Sequence, residues 1–173
     1  MNNIPEKLIN FRVYLDGTDL LGVADVDLPN LEGLTDTVRG AGIAGEIDSP
    51  ALGHYSPMTL GLNWRTVTGP VTQLAAPKAH HLDLRGSIQF YDAGTGEYNT
   101  KSLKVVVKAV PKTTNLGKLD VAKSGDVANE FSINYIKVWF DDKESVEIDP
   151  FNFIARVNGE DYLASVRRDL GLV

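Results

Sequence analysis

The sequence predicts a mainly β fold, a β-sandwich or barrel protomer with two short helices appended, and three observations carry that prediction. Apolar and polar residues alternate along many short segments, the period of a strand with one buried face. Turns rich in glycine, proline and aspartate separate them, among them Asp16-Gly17 and Asp92-Ala-Gly-Thr-Gly96. Helical spacing occurs only twice and never alternates with strands, which excludes a doubly wound sheet. A chain of 173 residues is read as one domain, 1–173, with enough bulk to bury a core.

Ile9, Phe11, Val13 and Leu15 alternate with Asn10, Arg12 and Tyr14 in a first strand that ends at Asp16-Gly17. Ala24, Val26 and Leu28 alternate with Asp25 and Asp27 in a second, stopped by Pro29-Asn30, and Gly33 to Arg39 forms a weaker third. From about 40 to 57 neither period survives, so this stretch is expected as a long extended loop. Ile43, Ile47, Leu52 and Tyr55 within it are apolar side chains that a solvated loop does not need, and they are candidate subunit-interface residues. Met58, Leu60, Leu62 and Trp64 restore strand spacing. Thr68-Gly69-Pro70 then opens a short helix over Val71 to Ala76, which Pro77 ends.

Leu82, Leu84, Ile88 and Phe90 mark a clean strand, and a hairpin loop leads to the strand from Tyr98 to Val110. The polar stretch from Pro111 to Asn129 is expected as an exposed connection. Phe131 to Phe140 is the longest apolar strand. Uninterrupted alternation places Phe131, Tyr135 and Trp139 on one of its faces, where burial or a subunit interface is the commoner use of such a row. After the charged turn Asp141-Asp142-Lys143-Glu144 come two short strands and a C-terminal helix at about 160–170. Asn158 is its expected N-cap, Tyr162, Leu163, Val166 and Leu170 its apolar stripe, Arg167 and Arg168 its last turn and Gly171 its stop.

Composition narrows the function. A net charge of −6 and a pI near 5.0 argue against a protein that grips nucleic acid. No apolar run reaches the length of a membrane span, the first residues lack a signal-peptide layout, and without cysteine there is no thiolate chemistry. Gly40-Ala-Gly-Ile-Ala-Gly45 matches a dinucleotide-binding pattern, but Glu46, Asp48 and Pro50 follow where a helix N-terminus would have to face phosphate. His80 and His81 are adjacent and diverge in a strand, so they read as polar loop residues and not as a metal pair. No catalytic constellation, cofactor site or metal site is expected, and the chain is read as a non-enzyme.

The C-terminal pattern Val146-Glu147-Ile148-Asp149-Pro150, Val157-Asn158-Gly159, Asp161, Leu163-Ala164, Arg167 and Leu170-Gly171-Leu172 resembles the major tail tube proteins of contractile-tailed phages and R-type pyocins. The resemblance continues in Asn10 to Gly17, Leu28-Pro29-Asn30-Leu31 and Arg39-Gly40-Ala41-Gly42. It implies a structural subunit whose protomers close into hexameric rings with one continuous inner β-barrel, stacked into a hollow tube that conducts DNA or ions. The implied partners are other copies of the chain, a tail sheath protein, baseplate and tail terminator proteins, and a tape measure protein and DNA held in the lumen without specific binding. No membrane is implied in the assembled state. The implied location is the tail of a virion or tail-like particle, built in the bacterial host cytoplasm. On this reading 40–57 reaches adjacent subunits, and Asp25 and Asp27 face an acidic or neutral lumen. The tube subunit of a type VI secretion or other contractile injection system is one alternative. A carbohydrate-binding β-sandwich that uses the aromatic row is another.

Overall fold

Long antiparallel strands, each registered against its sequence neighbour, build the protein. The computed structural model describes residues 2–20 and 22–172; Met1, Leu21 and Val173 lie outside the described residues. Strand β1 (Asn3–Leu15) turns through Asp16-Gly17, at φ 49° and 83°, into β2 (Thr18–Asp19). Positive φ at both central positions is what a two-residue hairpin requires. β3 spans Val23–Asp27, and among the described residues β4 (Gly33–Val38) and β5 (Ile47–Tyr55) pair only with each other. Then follow β6 (Met58–Trp64), helix α1 (Gly69–Gln73), β7 (His80–Asp92), β8 (Tyr98–Asn115) and β9 (Val127–Phe140). The chain closes with β10 (Lys143–Asp149), a 3-10 turn (Pro150–Asn152), β11 (Ile154–Val157), β12 (Glu160–Asp161) and helix α2 (Ala164–Asp169).

The main sheet has ten strands in the order β12-β11-β10-β9-β8-β7-β1-β2, and β6 and β3 branch from β9. The branch explains the architecture. One edge of β9 follows β8, while the other meets β6 over Val127–Ile133 and β10 over Ile136–Phe140. The two arms fold face to face over a core that includes Val13, Leu60, Leu62, Leu82, Val107, Phe131, Ile136 and Ile148. This is the sandwich that the alternation predicts.

A bulge in β9 alters the reading of its faces. Ala109 pairs with Ile133 but Lys108 pairs with Tyr135, so Asn134 is an extra residue. One extra residue reverses the alternation beyond it. Phe131 is fully buried, whereas Tyr135 and Trp139 lie half-buried on the opposite face. The three aromatics do not form one row.

Three other boundaries differ from expectation. Within 40–57, residues Ile47–Tyr55 are a strand and only the tip is irregular. Pro50 fits because this two-stranded ribbon consists of edges alone. Its alternation is weak because only Tyr55, at its base, reaches the main core. β8 extends to Asn115 and β9 begins at Val127, so the expected connection over 111–129 shrinks to 116–126. Pro111 is accommodated at a second register shift, between Pro111 and Thr113. Finally, Asn158 is no N-cap. Asn158 and Gly159, at φ 50° and 85°, form a tight turn between β11 and β12, and α2 starts later with Leu163 at its N-cap. Asn-Gly between short strands is a stronger hairpin signal than a helix cap. The expected stop does occur at Gly171. Its N–H donates to the Arg168 carbonyl and that of Leu172 to the Arg167 carbonyl.

Candidate assembly surfaces

The branched sheet creates a four-stranded patch in which β3, β6, the first half of β9 and the last part of β8 lie side by side. β3 pairs only with β6, and β7 starts opposite Ala109, so Val110–Asn115 has no partner on its outer side among the described residues. Both edges of the patch are therefore open. Free edges are tolerated in a folded protein when something covers them.

The patch's outward face is small and polar. Asp25 and Asp27 lie on one side of β3, as their spacing predicts, and share Asn63. The Asn63 amide donates to Asp25 Oδ1 at 2.5 Å and to Asp27 Oδ2 at 3.1 Å. Gly61 makes room for Asp27, because a Cβ there would lie 3.2 Å from Asp27 Oδ2. Thr59, Ala128, Glu130 and Ser132 continue the face by register, and Lys112 at its edge lies 3.4 Å from Glu130. Beneath it the Trp64 indole N–H donates to buried Asn129 at 2.7 Å, which stiffens the patch from below.

Beyond the Asn134 bulge, the same outward face of the main sheet carries balanced charge. Lys137 lies 2.9 Å from Glu147, and this hydrogen bond raises the lysine pKa above its ordinary value. Arg156 lies 3.5 Å from Glu144 and 3.8 Å from Glu147. The row ends at Arg167, which lies 2.5 Å from Asp161 and donates to the Phe153 carbonyl at 2.7 Å. Lysine amino groups cover Tyr135 and Trp139. Lys104 and Lys137 sit 4.9 and 5.0 Å from Trp139, and Lys108 sits 5.1 Å from Tyr135. Trp64 is buried. Neither Tyr135 nor Trp139 is therefore bare.

The third surface is the β4–β5 hairpin. Ile47 and Leu52 are 55% and 58% exposed, and Leu34 and Val38 beside them are exposed too. Ile43 at the tip is half-buried, and Tyr55 packs against the core. Gly40, Gly42 and Gly45 form the irregular tip, each at positive φ, so no helix opens there towards a phosphate. The hairpin is tied to the body where Gly53 passes Leu163 so closely that a Cβ would sit 2.6 Å from it.

The histidines separate. His80 is buried, not a polar loop residue; its Nε2 lies 3.0 Å from the Ala76 carbonyl and its ring packs edge-on against Phe131. His81 is exposed and His54 lies in β5. Among the described residues no group of three histidine, aspartate or glutamate side chains could hold a metal ion. No helix there is long and apolar enough to cross a membrane. The free edges of β3 and β8 were not legible as such, because pairing is a property of strand order. The Asp161–Arg167 clamp had no local signal beyond the two charges.

Open sheet edges, a projecting apolar hairpin and a smooth polar face define a β-protomer of the assembling class. The chain belongs to the phage tail tube protein FII family, which matches residues 5–171. It is 32% identical to the tail tube protein of Escherichia phage P2, over 98% of this chain and 99% of that protein. It is 28% identical to the major tail tube protein of Serratia phage KSP20, over 91% of this chain and 90% of that one. Two solved structures of the extracellular contractile injection system PVC contain chains of similar fold. The sheath/tube terminator in its extended state matches with a TM-score of 0.52 at 12% identity, covering 78% of this chain and 96% of the other. The extended sheath–tube complex matches at 0.50 and 11%, covering 75% and 87%.

Proposed function

We propose that this chain is the structural subunit of the inner tube of a contractile phage tail, and that it lines the conduit with the patch formed by β3, β6, β9 and β8. The observation that carries the proposal is the pair of open edges on that patch. Strand directions alternate across it, so β3 of one copy can extend the sheet antiparallel to Val110–Asn115 of the next. Repeating that contact around an axis closes a ring, here a hexamer, in which no edge of the inner barrel stays exposed.

The exposed side of such a barrel is the lumen, and its chemistry suits passage. Asp25, Asp27 and Glu130 repel phosphate, Lys112 is held by Glu130, and the remaining side chains are short. The channel so formed takes DNA without gripping it. The β4–β5 hairpin, with Ile47, Leu52 and the Ile43 tip, reaches a neighbouring subunit, and Tyr55 anchors its base to the core. A sheath surrounds the tube, and baseplate, terminator and tape measure proteins meet its ends and interior. The protein resides in the virion tail and is assembled in the host cytoplasm. Its role is structural and no catalysis is assigned to it. The family membership favours this over a type VI tube, and the lysine-covered aromatics disfavour a carbohydrate-binding sandwich.

Negative-stain microscopy and analytical ultracentrifugation of the concentrated protein test the proposal together. Rings or hollow tubes are expected. A strictly monomeric species that binds a glycan tightly would contradict it.

A further inference from the structure

At one end of the four-stranded patch the 116–126 loop carries Leu119 and Val121, each 93% exposed. The loop holds its shape: Lys118 N–H donates to the Gly125 carbonyl at 2.7 Å, Gly125 N–H to the Arg65 carbonyl at 2.7 Å, and Lys123 lies 3.2 Å from Asp120. A shaped loop that presents two aliphatic side chains wholly to water is the strongest unexplained apolar feature of the surface.

A matching cavity lies towards the other end. Val23 of β3 pairs with Trp64, beside the loop, and the strand runs away from it to Asp27 and Leu28. There, between β3 and β1, a groove of about 200 Å³ is lined by Leu8, Phe11, Val26, Leu28, Leu84 and Leu103, with Asp25 and Arg85 also on its wall, and most of its exposed lining is apolar. Charge differs between the two ends as well. At the loop, Arg65, Lys118 and Lys123 outnumber Asp120 and Asp126, whereas at the groove Asp25 and neighbouring Asp27 outnumber Arg85.

We infer that Leu119 and Val121 of one copy dock in the apolar groove beside Leu28 of a second copy, stacked on it along the tube axis. Knob and groove sit towards opposite ends of the same strands, so the contact is head-to-tail and cannot close on itself as a pair. The charge difference favours that polarity over a reversed stack. This rests on the tube reading above and adds the contact that would hold one ring to the next, separate from the strand pairing that closes each ring.

The test uses the whole chain, which has no cysteine of its own. L119D/V121D changes only exposed side chains, so it should melt like the wild type and still form rings, yet lose the stacked tubes seen by negative stain. A second variant, L28C/V121C, should give on mild oxidation a ladder of covalent oligomers that runs beyond the subunit number of one ring. Tubes of wild-type abundance from L119D/V121D would overturn the contact while leaving the tube reading intact. So would a disulfide ladder that stops at one ring. A wild-type chain that stays strictly monomeric and binds a glycan tightly would overturn the tube reading and this contact with it.

Discussion

Arg167 is the residue that ties the C-terminal segment to the sheet. Its guanidinium bonds Asp161 and the carbonyl of Phe153, a residue held at φ 51°, where only a locked surrounding keeps a bulky side chain. The Arg167 hydrogen bond is the main cause that holds the Asp161 carboxyl below its ordinary pKa. A folded-state pKa below the unfolded one gives stabilisation that is complete above the unfolded value, about 4, and lost as pH falls through the folded value. Asp161→Asn should therefore lower the melting temperature at neutral pH and flatten its decline below about pH 4. Thermal melts of both proteins across that range check the effect. An equal loss at every pH would mean that shape, not charge, is what Asp161 supplies. The two charges were plain in the sequence. Their meeting was not, because it depends on the Asn158-Gly159 turn that brings β12 back along β11.

Elements show the same division between local and non-local information. The strands whose one face enters the core were legible, since burial imposes the alternation on Val13, Leu15, Leu82, Leu84, Val105 and Val107. The face assignment of Tyr135 and Trp139 was not, because a bulge at Asn134 leaves no mark in composition. The strand β5 was hidden for a different reason: its ribbon has no buried row, and its glycines and Pro50 read as loop. Of the candidate surfaces, Asp25 and Asp27 were placed together by spacing alone, while the open edges beside them depend on strand order. The hairpin's attachment gives a direct measurement. Gly53→Ala combines φ +65° with a Cβ 2.6 Å from Leu163, and should destabilise the protein by about 2 kcal/mol. Gly42→Ala, at φ +86° but with nothing within 4 Å, should cost about 1 kcal/mol or less. Chemical denaturation separates the two. Equal losses would show that the hairpin does not depend on its contact with Leu163.

For the whole molecule, the branching of β6 and β3 from β9 is the feature that matters. It converts a simple meander into two sheets that share a core, and it leaves one of them open at both edges with a polar outer face. A monomer built for solution work has no use for two such edges, whereas a ring covers both with a single repeated contact. The outward surface beyond the Asn134 bulge, with Lys137 and Arg156 set against Glu144 and Glu147 and with Lys104 and Lys108 beside them, is too mixed in charge to serve as a slippery wall. Which face lines the channel is thus the central claim. Cryo-electron microscopy of the assembled tube tests it most directly, at a resolution where side chains can be followed. The account predicts β3 of each subunit beside Val110–Asn115 of the next, with Asp25, Asp27 and Glu130 facing the channel. A channel lined instead by Lys104, Lys108 and Lys137, with β3 buried elsewhere, would contradict it.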